Sequence, residues 1–242
     1  MDADRIAELL QPFLRARELP APATLSPDQL KLISIYVDLL LRWGARINLT
    51  AVRNAEDIVT RHFGESLFLA AYLFPSPSNS KSATQDAARP HVLDFGSGAG
   101  FPGLPLKIYA PELRLTVVES NRKKAAFLAE AIRALRFSDA SVFAGRFELG
   151  MLTAQDGPPP GLEPSDVVTM RAVERFAWAL ETAAAIARSG AAQFGAGKLA
   201  LLIGSAQAAQ TQQLVPDFRW EPPIPVPRSR QRILLVGQYP SR

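Results

Sequence analysis

At 242 residues, 48% hydrophobic and 21% charged, the chain has the make-up of a soluble globular protein with one large domain or a domain and an appendage. The absence of cysteine excludes disulfides, zinc–thiolate sites and thiol nucleophiles, and with only His62 and His91 as imidazoles no metal is expected. A net charge of +4 admits an anionic partner such as RNA without requiring one.

The opening residues, MDADRIAELL, lack the basic head and long apolar run of a signal peptide. No stretch approaches the roughly 18 uninterrupted apolar residues of a membrane span. A cytoplasmic protein without a membrane partner is the expectation. In LSPDQLKLISIYVDLLLRW, Ser26 can cap a helix, Pro27 suits its first position and Gln29 completes a capping box. Leu30, Ile33, Val37, Leu40 and Leu41 then recur on one helical face. A second helix is expected from about Glu56 to Phe74, with GARINLTAV as the turn between. Residues 1–74 therefore form a helical extension. Residues 75–90, polar and flanked by proline, form a flexible linker or insertion.

From residue 91 to 242 the texture changes. HVLDF, LRLTVVES, ASVFA, DVVTM and KLALLIG are short apolar runs that alternate with helical segments near 104–109, 122–136, 174–188 and 205–213. Such alternation predicts an α/β domain of right-handed βαβ units around a mostly parallel sheet. GPPPGLEP, 157–164, is a second loop insertion. The tail, FRWEPPIPVPRSRQRILLVGQYP, suits a C-terminal antiparallel hairpin at one sheet edge, although its prolines weaken the first strand.

The chemistry concentrates in HVLDFGSGAGFPG, residues 91–103. A glycine loop between a strand and a helix is where nucleotide-type cofactors bind in open α/β sheets. Gly98, Gly100 and Gly103 satisfy GxGxxG, a weak signal by itself. A carboxylate at Asp94 would repel the pyrophosphate of a dinucleotide, which favours a phosphate-free ligand. S-adenosyl-L-methionine fits, because its ammonium and sulfonium welcome that charge. Glu119, ending the next strand, stands where an acid would accept the ribose hydroxyls. The plainer alternative is that Asp94 only caps the following turn.

DFGSGAGFPGLPL, VESNRKKAAFL, GRFE and TMRAV, with LLLRWGARINLTAV and RHFGESL upstream, resemble the bacterial small-subunit ribosomal RNA methyltransferase G family, RsmG/GidB. The resemblance implies a Rossmann-like S-adenosylmethionine-dependent methyltransferase domain acting on N7 of a guanine in 16S ribosomal RNA. It implies that Asp94, Gly96, Gly98, Gly100 and Phe101 line the methionine end of the donor, and that Glu119 holds the ribose. Phe147 and Glu148 would border adenine, and Arg171 would face donor and RNA in a positioning role. The partner would be small-subunit ribosomal RNA or the ribosomal subunit, and the protein a monomer.

The chain departs from the family pattern at three places. Ile203-Gly204 stands where Lys-Gly is usual, so that Lys198 or another residue would have to supply the cation. Glu65 replaces an aspartate, and Gly44 an asparagine.

Guanine N7 carries a lone pair and no proton, so its methylation needs an in-line approach rather than a general base. That agrees with a chain poor in histidine and without cysteine. For Arg171 the alternatives are contact with a phosphate or flipped guanine and a surface salt bridge. Arg122, Lys123 and Lys124 begin a helix against its dipole, which suits an RNA contact or a plain solvated face. His62 and Trp43 read more simply as core than as site residues. The arginines at 219, 228, 230, 232 and 242 fit RNA contact and ordinary surface charge equally. Competing functions are a catalytically weakened donor- or RNA-binding relative and a small-molecule methyltransferase.

Overall fold

Asp2 and Ser26 each start a helix. In this computed structural model, which describes residues 1–75, 89–145, 162–194 and 197–240, the Asp2 carboxylate accepts from the Arg5 amide at 2.8 Å and opens α1, Ala3–Leu14. Ser26 and Gln29 form the expected capping box of α2, Pro27–Gly44. The expected single helix over 56–74 is instead three pieces: α3, Ala55–Asp57, a π-helical turn, Ile58–Gly64, and α4, Glu65–Leu73. At Gly64 a β-carbon would come within 2.5 Å of the Phe13 ring, so α1 packs directly on the backbone there. Of the expected linker 75–90, residues 76–88 lie outside the described residues, as do 157–161 of the second insertion.

The sheet contains β1, His91–Phe95, β2, Arg114–Glu119, β3, Ala140–Ala144, β4, Val167–Arg171, and β5, Gly197–Gly204. β6, Arg219–Trp220, β7, Ile224–Pro225, and β8, Arg232–Tyr239, complete it. The order is β3-β2-β1-β4-β5-β8-β6, with β7 also paired to β8. β1 to β5 are mutually parallel, and β8 is antiparallel to β5. Between them run α5, Gly103–Tyr109, α6, Arg122–Ala134, α7, Phe176–Phe194, and α8, Ala208–Leu214.

This is the Rossmann-like arrangement the alternating runs predict, with one difference in the tail. The expected first hairpin strand is split into β6 and β7 around Pro222 and Pro223, which cannot donate to a ladder. Both fragments pair with β8 instead of forming one long partner.

Side chains alternate between two apolar layers. Val92, Leu115, Val117, Ala200, Leu202 and Leu234 face α1, α2, α4, α5 and α6 in one continuous cluster. Leu93, Phe95, Val118, Met170, Leu201 and Ile203 face α7 and α8 in the other. The N-terminal helices thus bury their apolar faces against the sheet and its helices. The direction in which strands are added reverses between β1 and β4, and the crevice that opens at their C-terminal ends is the usual ligand position. No helix among the described residues is long and apolar enough to cross a membrane.

Candidate active site

The glycine loop leaves β1 at this crevice. Gly96, Gly98 and Gly100 all adopt left-handed φ, at 70°, 60° and 87°. At Gly100 two demands coincide: a β-carbon would be strained and would lie 2.2 Å from the Tyr36 hydroxyl. At Gly98 the space is open, the nearest atom being the Gly96 carbonyl oxygen at 3.9 Å. A ligand can therefore approach the bare main chain there.

Asp94 does not stand at the mouth of the loop. Its side chain is fully buried beneath it, accepting from the Gly103 amide at 3.0 Å and the Thr169 hydroxyl at 2.9 Å. A β-carbon on Gly103 would come within 2.8 Å of that carboxylate, so the tight approach of α5 requires glycine. Burial pushes the Asp94 carboxyl up to about 6, against the pull of its hydrogen bonds.

A raised folded-state value stabilises the fold below the unfolded pKa, and that contribution disappears as pH climbs through about 6. Asp94→Asn keeps the acceptor and removes the charge. The variant is expected to gain stability relative to the parent between about pH 4 and 6, by roughly 3 kcal/mol in all. Urea midpoints at a series of pH values check this. Parallel profiles would mean that Asp94 does not titrate in that range.

Glu119 ends β2 and turns its carboxylate to the loop. It accepts from the Gly98 amide at 2.9 Å and from the Asn121 amide at 2.7 Å. Asn121 in turn caps α6 by accepting from the amides of Lys123 and Lys124. Arg122 and Lys123 are exposed and Lys124 half-buried at that helix start.

Phe101 is buried and stacks on Tyr36, ring centres 5.5 Å apart and planes 12° from parallel. The Tyr36 hydroxyl donates to the Ala99 carbonyl at 2.5 Å. Tyr36 went unremarked in the sequence, although it lies three residues after Ile33 on the α2 stripe and carries a hydroxyl that needs a partner when buried. Phe147 and Glu148 lie outside the described residues.

Arg171, at the end of β4, makes a buried ion pair rather than a surface one. Its Nη2 is 3.0 Å from Glu65, with side-chain exposures of 8% and 11%. The same nitrogen donates to the Arg61 carbonyl at 2.9 Å and meets His62 Nδ1 at 3.0 Å. The guanidinium lies 5.9 Å from the centre of the Phe101 ring. Arg171 Nε has no hydrogen-bond partner among the described residues.

His62 is held on both sides, with Nε2 2.7 Å from the Thr50 hydroxyl. Burial, reinforced by Arg171, pushes it down to about 3. Nδ1 therefore serves as acceptor and the ring stays neutral. Arg61 and His62 both belong to the π-helical turn, which brings a carbonyl and a ring nitrogen to one guanidinium.

Ile203 is 2% exposed and packs in the α7 and α8 layer, so a lysine there would point away from the crevice. Lys198 is the second residue of β5, five residues earlier and about 17 Å away toward the opposite end of the strand. It cannot substitute. Arg232 on β8 lies opposite Gly204 and brings its Nε to 3.8 Å from Glu65. Trp43 is half-buried edge-on to Phe127. A β-carbon on Gly44 would meet nothing within 4 Å, so glycine is not required there.

The chain is 40% identical over 166 residues to a ribosomal RNA small subunit methyltransferase G from Roseiflexus castenholzii, covering 69% of this chain and 64% of the relative. A protein of the same name from Roseiflexus sp. is 42% identical over 153 residues, 63% of this chain and 58% of the relative. The chain thus spans less than two thirds of the length of these relatives. Among solved structures, a ribosomal protein L11 methylase from Lactobacillus delbrueckii subsp. bulgaricus aligns over 74% of this chain and 78% of its own, with TM-score 0.48 and 12% identity. Residues 29–198 match the model of the GidB family, rRNA small subunit methyltransferase G, and the chain belongs to that family.

Proposed function

We propose that this chain transfers a methyl group from S-adenosylmethionine to N7 of a guanine in small-subunit (16S) ribosomal RNA. One observation carries the reading: a bare glycine main chain, an acid ending the next strand and a buried arginine meet at one sheet edge. The open space at Gly98 suits a ligand pressed against the loop. Gly96, Gly98, Gly100 and Phe101 would hold the methionine end of the donor. Glu119, which already braces the Gly98 amide, would take the ribose. Asp94 acts from beneath, by fixing the turn into α5.

The donor, when bound, supplies an electrophilic methyl on a sulfonium. The chain's own residues hold and orient. Arg171 is a positioning residue whose orientation is set by Glu65, the Arg61 carbonyl and His62. Phe101, Tyr36 and Phe63 form an aromatic wall against which the loop packs. No proton leaves N7, so no base is required, and neutral His62 is committed to structural bonds. We assign residues 1–74 as the helical extension and 91–242 as the methyltransferase domain, working as a cytoplasmic monomer on ribosomal RNA or the subunit.

Labelled-methyl transfer to naked RNA, small subunits and small metabolites tests this. The product should break at one guanine after reduction and aniline treatment, only when enzyme and donor are both present. With Asp94 at about 6 and His62 at about 3, turnover should be level from about pH 7 to 8.5. Label on an exocyclic amine, a ribose hydroxyl or a pyrimidine carbon would overturn the N7 assignment. Label in metabolites alone would move the substrate to a small molecule.

A further inference from the structure

The turn joining β7 to β8, residues 226–231, and Arg232 at the start of β8 together read VPRSRQR, with three arginines and no acid. β8 runs antiparallel to β5 with Arg232 opposite Gly204. This turn therefore stands at the sheet edge that carries the glycine loop and Arg171, not at the far one. It is also ordered by its own main chain. Val226 and Ser229 donate to Arg232 and Val226 carbonyls at 3.0 and 3.2 Å, and Ser205 donates to the Gln231 carbonyl at 2.7 Å. The Arg232 amide donates to the Ser229 hydroxyl at 2.9 Å.

Arg228 and Arg230 are exposed, and among the described residues neither has a carboxylate partner. Arg188, by contrast, half-buried on α7, grips Asp217 with two nitrogens. Arg232 reaches inward to Glu65, which already pairs with Arg171. Two guanidiniums share one carboxylate. Positive charge thus continues from the exposed turn to the buried arginine beside the Phe101 ring.

We propose that the β7–β8 turn seats the phosphate backbone of the RNA substrate. Arg228 and Arg230 each engage a phosphate, and Arg232 carries the row of charge to the crevice. Planar guanidinium forks match phosphate oxygens, and a preordered turn loses little freedom on binding. This rests on the RNA reading above and adds the surface that holds the RNA.

The test compares the parent chain with the double variant Arg228→Gln/Arg230→Gln. Arg136→Gln, an exposed charge in the turn entering β3 at the opposite edge, serves as control. Affinity for small-subunit RNA is followed by anisotropy across a salt series, and S-adenosylmethionine affinity by calorimetry. The double variant should bind RNA at least about tenfold more weakly at low salt, with a log–log salt slope shallower by about 2. Donor affinity should hold, and the control should change little.

An unchanged slope, a control that falls equally, or donor affinity lost along with RNA would overturn the assignment. So would a parent chain whose RNA binding is insensitive to salt. A parent chain that binds RNA through this turn yet transfers no methyl group would uphold it, and would sink the proposed activity instead.

Discussion

Arg171→Ala should lower the unfolding free energy by about 4 kcal/mol and abolish methyl transfer. Arg171 and Glu65 are both nearly sealed from water at 3.0 Å, so deleting the cation strands a carboxylate in the interior. Arg232, at 3.8 Å and more exposed, offsets only part of that cost. The loss thus falls on stability as well as chemistry. Arg171→Met/Glu65→Gln, with both charges removed, should recover much of the stability and none of the activity. Arg171→Lys keeps the charge but not the reach of Nη2 to the Arg61 carbonyl and His62. Urea denaturation decides the matter: a midpoint for Arg171→Ala equal to the parent's would show that the pair is not buried as described.

Gly100→Ala is expected to cost about 4 kcal/mol, combining left-handed strain with overpacking. The added carbon would sit 2.2 Å from the Tyr36 hydroxyl and 2.7 Å from a Leu104 methyl, with φ at 87°. Relief must come from moving Tyr36, which would release the Ala99 carbonyl and the stacked Phe101 together. Donor affinity should fall with stability. Tyr36→Phe alone loses one hydrogen bond, about 1 kcal/mol, yet in the Gly100→Ala background it removes the clashing oxygen. The double variant should therefore be more stable than the sum of the two losses implies. Strict additivity would show that the clash is not the source of the cost.

The parallel strands were legible because strands covered on both faces appear as short apolar runs, as β1 does with every residue buried. The glycine loop was legible because few ligands demand that many missing side chains. Side-chain direction was not. Asp94 looked like a group facing the ligand, and only the packing of α5 shows it turned underneath. The partner of Arg171 lies on a helix 106 residues earlier, and no local pattern announces such a pair. Two misses were avoidable. Asp2 before Ile6, Leu9, Leu10 and Phe13 is an ordinary helix start. Lys198 sits at the wrong end of an eight-residue strand, which counting along KLALLIG would have revealed.

The reversed last strand also sets the order in which the molecule can be completed. β6 precedes β8 in the chain, yet β8 lies between it and the rest of the sheet. A ribosome therefore releases β6 before the strand it pairs with exists, and the two-residue ladder must wait. The same delay reaches the crevice: Glu65 emerges early, whereas Arg232, 167 residues later, arrives with the final strand. Contacts of such long sequence separation are the slow ones in folding. The first helices and the five parallel strands can thus assemble before the second arginine arrives. Its arrival closes the sheet edge and completes the charge balance around Glu65 in one step.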